Sequence, residues 1–364
     1  AVRNPAQLAQ STLDWGQPVL ESAITLVRDG QFFYRGHNAV QLAHQATLEA
    51  VARLLWQHEG EPQPATEVVP TPAPAPTPFD EPPAPVPAAR SATQALAAWF
   101  AMAAPARPSS LPHYLELLHG MCDVLLGVPP QASAHTACGT PLHQRLAAAW
   151  QVDAPVAQVL RSALVLCADH ELNASSFAVR VVASTGASLH ASVGAGLAAL
   201  SGPQHGGMTE RIRRHWREWH DRPEGAPLAP SLQALLHATQ TGQTPHYYAG
   251  FGHPLYPSGD PRSACLLALL PPDRCRARLI AQVHAASGLH PSLDYSLVAL
   301  EHALHLPSGA ALVLFALGRT AGWIAHALEQ QSTGQLIRPR AQYTGGQPQD
   351  VPAASALPGR IIRF

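Results

Sequence analysis

The feature that most constrains the fold is a long proline-free stretch in a proline-rich chain. Residues 156–200 contain no proline, although the 364-residue chain has 36 prolines. Because proline ends or kinks a helix, its absence over this length favours helical structure. The stretch is also rich in Ala, Ser and Gly, small residues that let helices approach one another closely. The pattern predicts a buried helix pair.

The rest of the chain adds more helices after one short β-segment. Residues 18–37 alternate apolar and polar side chains around Asp29-Gly30, which predicts a small hairpin. Residues 38–56 carry apolar side chains at helical spacing and contain neither Pro nor Gly. We therefore predict a mainly α fold. Further helical patterns lie at 208–221, 273–287, 293–304 and 309–331.

Residues 62–89 form a proline-rich insert that cannot continue a helix. This composition favours an extended, polyproline-like segment. Since such a tract lacks the apolar surface needed for packing, we interpret it as a surface loop without a catalytic role. A tract that docks a partner protein is the alternative.

Charge and hydropathy limit the partners that the chain can have. Its net charge is −1, charged residues make up 13%, and all 23 basic residues are arginine. There is no basic field of the kind that binds nucleic acid. No apolar run reaches the ~18 residues of a membrane span, and the first residues lack the layout of a signal peptide. We expect a cytoplasmic protein with no nucleic-acid or membrane partner.

Cysteines and histidines give no metal-binding pattern. No two cysteines form a CxxC pair, and the histidines discussed below lack HxxxH or HExxH spacing. We expect reduced, mostly buried thiols and no metal. The five cysteines are Cys122, Cys138, Cys167, Cys265 and Cys275.

Three histidine stretches are candidates for a functional site. His170 lies in CADHELNAS, His205 in GPQHGG and His253 in GFGHPLYPSGDPR. With 20 histidines in the chain, each of these alone could equally be a structural residue. The rings could also donate hydrogen bonds or transfer protons, work that suits neutral histidine near pH 7.

One arginine is in unusual surroundings. Arg319, in FALGRTAGW, falls inside an apolar helical pattern, where an unpaired charge is costly. It therefore needs a carboxylate partner, from either the protein or a ligand. Arg262 and Arg338 are further candidates, because guanidinium groups bind carboxylates through two parallel hydrogen bonds. Several arginines and neutral histidines around one site would suit a small dicarboxylate.

Six motifs follow one another in the chain: ADHELNASSFAVRVVASTGA, GPQHGG, GFGHPLYPSGDPR, LDYS, ALGRTAGWIAHALEQ and RPRAQYTG. The segment VRDGQFFYRGHNAVQLA precedes them. Together these strings resemble the citrate synthase family, over roughly 18–56 and 156–345, and the first segment is similar to the family's N-terminal region.

The resemblance implies a fold, an assembly and a reaction. It implies a mainly α-helical homodimer, with a large domain of residues 1–204 and 300–364 and a small domain of residues 205–299. The family condenses acetyl-CoA with oxaloacetate and hydrolyses the citryl-CoA thioester, as in the tricarboxylic acid cycle. No cofactor is bound permanently, since the CoA thioester is a substrate.

The resemblance also implies roles for single residues. His205 would donate a hydrogen bond to the thioester carbonyl, Asp294 would remove the methyl proton, and His253 would polarise the oxaloacetate ketone. The glycines beside the two histidines would let CoA lie against the backbone. The residues implied to hold the oxaloacetate carboxylates are His170, Arg262 and Arg319, with Arg338 reaching in from the partner subunit.

Other interpretations remain open at this point. Asp294 could instead complement the dipole of a helix that starts near Pro291-Ser292. Three strings differ from those usual in the family. HPLYP lacks the basic residue of a GHRVYK-like string, GPQHGGMTE stands in place of GPLHGGANE, and YSLVAL stands in place of a YSG continuation. The alternatives are a 2-methylcitrate synthase that uses propionyl-CoA, a non-catalytic ligand-binding paralogue, and an enzyme that runs in the cleaving direction.

Overall fold

The computed structural model describes residues 20–56, 89–102, 110–128, 139–241 and 250–339, together with Gly345. The chain divides into two compact units, one formed by 1–19 and 337–364 and the other by 20–336. Every helix and strand named below lies in the second unit. The proline-rich insert lies outside the described residues except for Ala89, and the predicted division into a large and a small domain stays a prediction.

A small antiparallel sheet opens the second unit. The turn between its first two strands has positive φ at Asp29 (53°) and Gly30 (72°), as a tight hairpin turn requires. Arg35 (44°) and Gly36 (85°) repeat this turn, and a third strand follows. The predicted hairpin is confirmed and extended. The strands, in the order β1-β2-β3, are β1 Thr25–Arg28, β2 Gln31–Tyr34 and β3 His37–Asn38.

The remaining described elements are helices, and the mainly α prediction is confirmed. In chain order they are α1 Ala39–Gln45, α2 Leu48–Trp56, α3 Ala92–Ala101, α4 Leu111–Leu126, α5 Leu142–Trp150, α6 Ala154–Cys167, α7 Ala174–Ser184, α8 Leu189–Leu200, α9 Gly207–His220, α10 Pro230–Gln240, α11 Pro261–Ala268, α12 Arg274–Ser287, α13 Leu293–Ala303 and α14 Ala310–Thr333.

The single helix predicted over 38–56 is two helices. The chain is extended at Ala46 (φ −96°, ψ 154°), between α1 and α2. Buried Arg161 donates to three carbonyl oxygens at the end of α1, all within 3.0 Å, and the Thr47 hydroxyl accepts from the Ala50 N–H at 3.2 Å. An arginine distant in the sequence thus provides hydrogen bonds to the carbonyl groups at the end of α1, so the helix ends there without Gly or Pro.

The proline-free stretch forms three helices, α6, α7 and α8, where a pair was predicted. The predicted close packing is found between α7 and α8, which both lie against α14. The break before α7 contains His170 and Glu171, and Glu171 has a φ of 50°. This break, in the middle of the apolar helices, places polar side chains next to the core.

Helix α14 is the centre of the core. By length and composition it could cross a membrane, but 94% of its apolar window is buried inside the protein, as in the core helix of a globular domain. Gly322 allows a close crossing, since a Cβ there would lie 2.4 Å from the Ala168 carbonyl oxygen. Arg319 lies one turn before this crossing and is buried with it.

Candidate active site

The candidate residues come together from breaks and helix ends within the second unit. His170 precedes α7, His205 precedes α9, and His253 lies in the loop before α11. Arg262 and Asp294 stand in the first turns of α11 and α13, and Arg319 lies inside α14. Apart from Arg319, these are positions at loops and helix starts, where the chain changes direction.

His170 and His253 form a pair with Tyr256. Their ring centroids are 5.1 Å apart at right angles, and the Tyr256 hydroxyl lies 2.8 Å from His170 Nε2. Burial, followed by the charge of Arg262, lowers the pKa of His253 to about 4. The same two causes hold the pKa of His170 well below its usual value. Both rings are neutral at pH 7 and can act as hydrogen-bond donors without adding positive charge.

The GPQHGG turn is packed too tightly for larger residues. The His205 N–H donates to the Gly202 carbonyl at 2.9 Å. A Cβ on Gly206 would lie 2.6 Å from Leu200, and one on Gly207 would lie 2.7 Å from the Gly202 oxygen. The protein itself fills the space beside these two glycines, so the turn requires them whether or not a ligand approaches. The expected approach of CoA to this backbone stays a prediction.

A hydroxyl holds the His205 ring. Ser175 Oγ lies 2.9 Å from His205 Nε2 and accepts the Trp323 indole N–H at 3.1 Å. The same hydroxyl is 2.7 Å from Asn173 Oδ1. That oxygen already accepts two backbone N–H groups at 3.1 Å. Burial, and then Arg319, lower the pKa of His205 to about 3, so this ring is neutral as well.

Arg262 is paired within the protein. Its Nε and Nη2 donate to the two oxygens of Asp260 at 2.9 and 2.8 Å. Burial alone would lower the pKa of Arg262, but Asp260 raises it above the usual value. The Asp260 carboxylate also caps two helices, through the N–H of Arg262 at 3.0 Å and that of Leu293 at 3.2 Å. Only Nη1 of Arg262 has no hydrogen-bond partner among the described residues.

Arg319 has no acidic partner among the described residues. The side chain is 1% exposed, its Nε donates to the Cys167 carbonyl at 2.9 Å, and it lies 5.1 Å from the Phe315 ring. Asp169 is nearby: its Oδ2 accepts from Thr25 at 2.6 Å, and its Oδ1 lies 3.2 Å from His326 Nε2. Burial lowers the pKa of Arg319, and the charge of Asp169 opposes this shift. Burying a charge without a hydrogen-bonded ion pair costs several kcal/mol, which an anionic ligand would offset.

Asp294 has the properties of a base poised near neutral pH. Its Oδ1 is buried and accepts no hydrogen bond from the described residues. Burial raises its pKa to about 6, against the lowering effect of Arg262. A charge that merely complements a helix dipole would have a lowered pKa, so burial decides the balance here. The carboxylate is mostly ionised at pH 7 and can still take up a proton.

Arg338 is exposed and follows α14. It belongs to the unit formed by 1–19 and 337–364, whereas the other candidate residues belong to the unit 20–336. Its role in a partner subunit stays a prediction.

Three residues that line the site were not singled out from the sequence. Tyr256, Ser175 and Asp260 all lie inside the motifs quoted above, three to seven residues from a chosen histidine. A hydroxyl or carboxylate side chain so close in sequence to a candidate histidine is the signal that could have identified these three residues. The histidines that contact Tyr256 and Ser175 come from other parts of the chain, whereas Arg262, the partner of Asp260, lies two residues away.

The arrangement defines a class of protein: a helical protein with a buried site that can bind an anion and move a proton. The chain belongs to the citrate synthase family, because the family model described as citrate synthase, C-terminal domain, matches residues 12–340.

Relatives with curated names agree with this assignment. Citrate synthase 2 of Bacillus subtilis is 33% identical over 198 residues, 52% of this chain and 51% of that protein. The 2-methylcitrate synthase of Shewanella oneidensis is 31% identical over 208 residues, 53% of this chain and 52% of that protein. The matches span about half the length of these relatives.

Solved structures share the fold. Citrate synthase from Thermotoga maritima superposes with a TM-score of 0.59 at 22% identity, covering 92% of this chain and 96% of that one. Citrate synthase from Thermoplasma acidophilum, in a ternary complex with carboxymethyl coenzyme A and oxaloacetate, gives a TM-score of 0.63 at 20% identity with the same coverage. The predicted citrate synthase-like fold is confirmed.

Proposed function

We propose that this protein condenses an acyl-CoA, acetyl-CoA first, with oxaloacetate and hydrolyses the resulting citryl-CoA thioester. The observation that carries the proposal is the buried guanidinium of Arg319, which has no acidic partner among the described residues and lies near neutral histidines. Such a site favours a carboxylate ligand. Family membership supports oxaloacetate as that ligand.

The first step removes a proton from the acyl methyl group. Asp294 takes this proton, and the electron pair moves into the thioester carbonyl to give an enolate. A thioester methyl is a very weak carbon acid, so the enolate oxygen needs a donor beside it. His205 supplies that donor as a neutral imidazole, without a second buried charge beside Arg319.

The hydrogen bonds around His205 determine which ring nitrogen carries the proton. Ser175 donates its hydroxyl proton to Asn173 Oδ1 at 2.7 Å and accepts the Trp323 N–H at 3.1 Å. It therefore accepts from His205 Nε2 at 2.9 Å, and Nδ1 of the neutral ring carries a lone pair. Donation from Nδ1 to the enolate oxygen requires the Ser175 hydroxyl to turn its proton from Asn173 to His205 Nε2, which leaves the ring proton on Nδ1.

Carbon–carbon bond formation uses the second histidine. The enolate carbon attacks the ketone carbon of oxaloacetate, whose oxygen is polarised by a hydrogen bond from neutral His253. The alkoxide that forms takes up a proton from water, and Asp294 releases the methyl proton to water, so the proton count balances. His170, Nη1 of Arg262 and Arg319 would hold the carboxylates, with Arg338 from a partner subunit. Water then hydrolyses citryl-CoA to citrate and free CoA.

The proposal is tested by release of free thiol from acetyl-CoA with and without oxaloacetate. Release that depends on oxaloacetate is the expected result. No release, from a protein that binds oxaloacetate by calorimetry, would refute condensation and favour a non-catalytic ligand-binding paralogue. That alternative is motivated by Pro254 and Pro257, which stand where related strings carry a basic residue.

Propionyl-CoA is the second candidate acyl donor, because a 2-methylcitrate synthase is among the relatives. One additional methylene group on a substrate changes its binding free energy in an apolar pocket by only about 1–3 kcal/mol. The ratio of thiol-release rates with acetyl-CoA and propionyl-CoA decides between the two. We also propose that the protein acts as a cytoplasmic homodimer in the tricarboxylic acid cycle; light scattering of the full chain tests the dimer.

A further inference from the structure

No side chain in the described part of the chain holds the proposed base, Asp294. Apart from its own backbone N–H, no described group donates to its carboxylate, and Oδ1 is buried without a partner. The first turn of α13 therefore sets where the carboxylate lies. Both neighbours of Asp294 are anchored: the Leu293 N–H donates to Asp260 at 3.2 Å, and the Tyr295 hydroxyl lies 2.9 Å from His220 Nε2.

The hydrogen bond between Tyr295 and His220 has one direction. His220 Nδ1 lies 2.8 Å from the Trp216 carbonyl oxygen, which can only accept, so Nδ1 carries a proton. Burial lowers the pKa of His220 to about 4, so the ring is neutral and Nε2 has a free lone pair. Tyr295 therefore donates its hydroxyl proton to His220.

Tyr295 also contacts the segments that carry the other two proposed catalytic groups. Its ring packs 4.8 Å from Phe251, two residues before His253, and 5.7 Å from Trp216 of α9, the helix that begins just after His205. The crossing is tight at Gly250, where a Cβ would lie 2.6 Å from Ile212 of α9 and 3.4 Å from the Tyr295 Cβ. One buried side chain thus joins α9, the His253 loop and α13.

We propose that Tyr295, held by His220, is a positioning residue that sets the Asp294 carboxylate relative to His205 and His253. The inference rests on the proposed function. Tyr295 acts through Asp294 and need not touch a substrate. A shift of about 1 Å in a reacting group can cost on the order of 100-fold in rate, so a single anchoring bond is enough to matter.

Three variants separate the hydrogen bond from packing. Tyr295→Phe keeps the ring and removes the donor. His220→Asn keeps an N–H near Nδ1 but lacks the acceptor at Nε2, whereas His220→Gln can place its amide oxygen near Nε2. The matched control is His302→Asn. His302 also stacks on Trp216, at 4.5 Å and 3°, but its Nε2 makes no hydrogen bond with the described residues.

The first measurement is steady-state thiol release, with oxaloacetate affinity measured by calorimetry. We expect kcat to fall by about 10- to 100-fold in Tyr295→Phe and His220→Asn, with oxaloacetate affinity within about twofold of wild type. His220→Gln recovers most of the rate and His302→Asn keeps it. The isotope effect with methyl-deuterated acetyl-CoA increases in the impaired variants, because proton removal becomes slower.

A second readout does not need turnover. Carboxyl ¹³C NMR follows the titration of Asp294, whose resonance is identified by its loss in Asp294→Asn. We expect the Asp294 pKa to move from about 6 toward its usual value in Tyr295→Phe and His220→Asn, as water reaches the carboxylate, and to stay in His302→Asn.

Wild-type rates in Tyr295→Phe and His220→Asn would overturn the positioning role. If the wild-type protein releases no CoA, the proposed function fails instead, and the titration alone decides whether Tyr295 and His220 hold the Asp294 carboxylate; an unchanged Asp294 pKa would then overturn the inference.

Discussion

Replacing Arg319 by Met should make the ligand-free protein no less stable while weakening its binding of oxaloacetate. The guanidinium is 1% exposed and lacks an acidic partner among the described residues, so it bears a desolvation cost without a matching ion pair. Replacing buried charges by well-packed apolar residues is often neutral or stabilising by about 1–4 kcal/mol. Loss of the 2.9 Å bond to Cys167 removes about 1 kcal/mol of that gain. The expected change in the free energy of unfolding is therefore about 0–3 kcal/mol in favour of the variant.

Arg180 provides the matched control. It is equally buried, at 2% exposed, but it is paired with Glu329 at 2.7 Å and Gln330 at 2.9 Å. Breaking a buried pair typically costs about 3–5 kcal/mol, somewhat less here because the Glu329 side chain keeps 17% exposure. Arg180→Met should therefore destabilise the protein while Arg319→Met does not.

The assay is urea unfolding followed by circular dichroism, with and without oxaloacetate, together with calorimetric binding. Loss of a charge-assisted bond to the ligand should weaken oxaloacetate binding by about 1.5–3 kcal/mol, roughly 10- to 100-fold. The reasoning is refuted if Arg319→Met unfolds as easily as Arg180→Met, or if it binds oxaloacetate with unchanged affinity.

The remaining predictions concern the base, the His205 network and the insert. Asp294→Asn should abolish thiol release and leave oxaloacetate binding nearly unchanged. Because the pKa of Asp294 is raised in the folded protein, ionising it costs stability as pH rises through about 6. The free energy of unfolding of the variant should therefore exceed that of the wild type by on the order of 1–3 kcal/mol at pH 8 and should equal it at pH 3. For the wild type, kcat/KM for the acyl-CoA should fall tenfold per pH unit below pH ~6 as Asp294 takes up a proton, and a flat profile down to pH 5 would remove Asp294 from the base role. Ser175→Ala should lower kcat by about 10- to 100-fold, because it removes the hydroxyl that can stabilise the His205 tautomer with its proton on Nδ1. Trp323→Phe keeps the serine and should lower kcat less; equal losses would contradict this role of the Ser175 hydroxyl. Deleting 62–89 should leave thiol release unchanged, and a lost activity or assembly would favour the partner-docking interpretation.

Several elements could be predicted because their signal is local. The sequence Asp29-Gly30 predicts a tight turn. The spacing of apolar residues predicts helices α9 and α14, because helix geometry relates residues three or four positions apart. The break between α1 and α2 could not be predicted in this way. It depends on Arg161, which lies more than a hundred positions away in the chain.

The sequence by itself determined the helical character of the chain, its family and the identity of the histidines and arginines in the site. Only the tertiary structure decided their chemical states. Asp260 pairs with Arg262, whereas Arg319 has no acidic partner among the described residues. Burial raises the pKa of Asp294 to about 6 against the lowering effect of Arg262. Desolvation and ion pairing depend on contacts between segments that are far apart in the sequence. Helix periodicity, by contrast, depends on residues only a few positions apart.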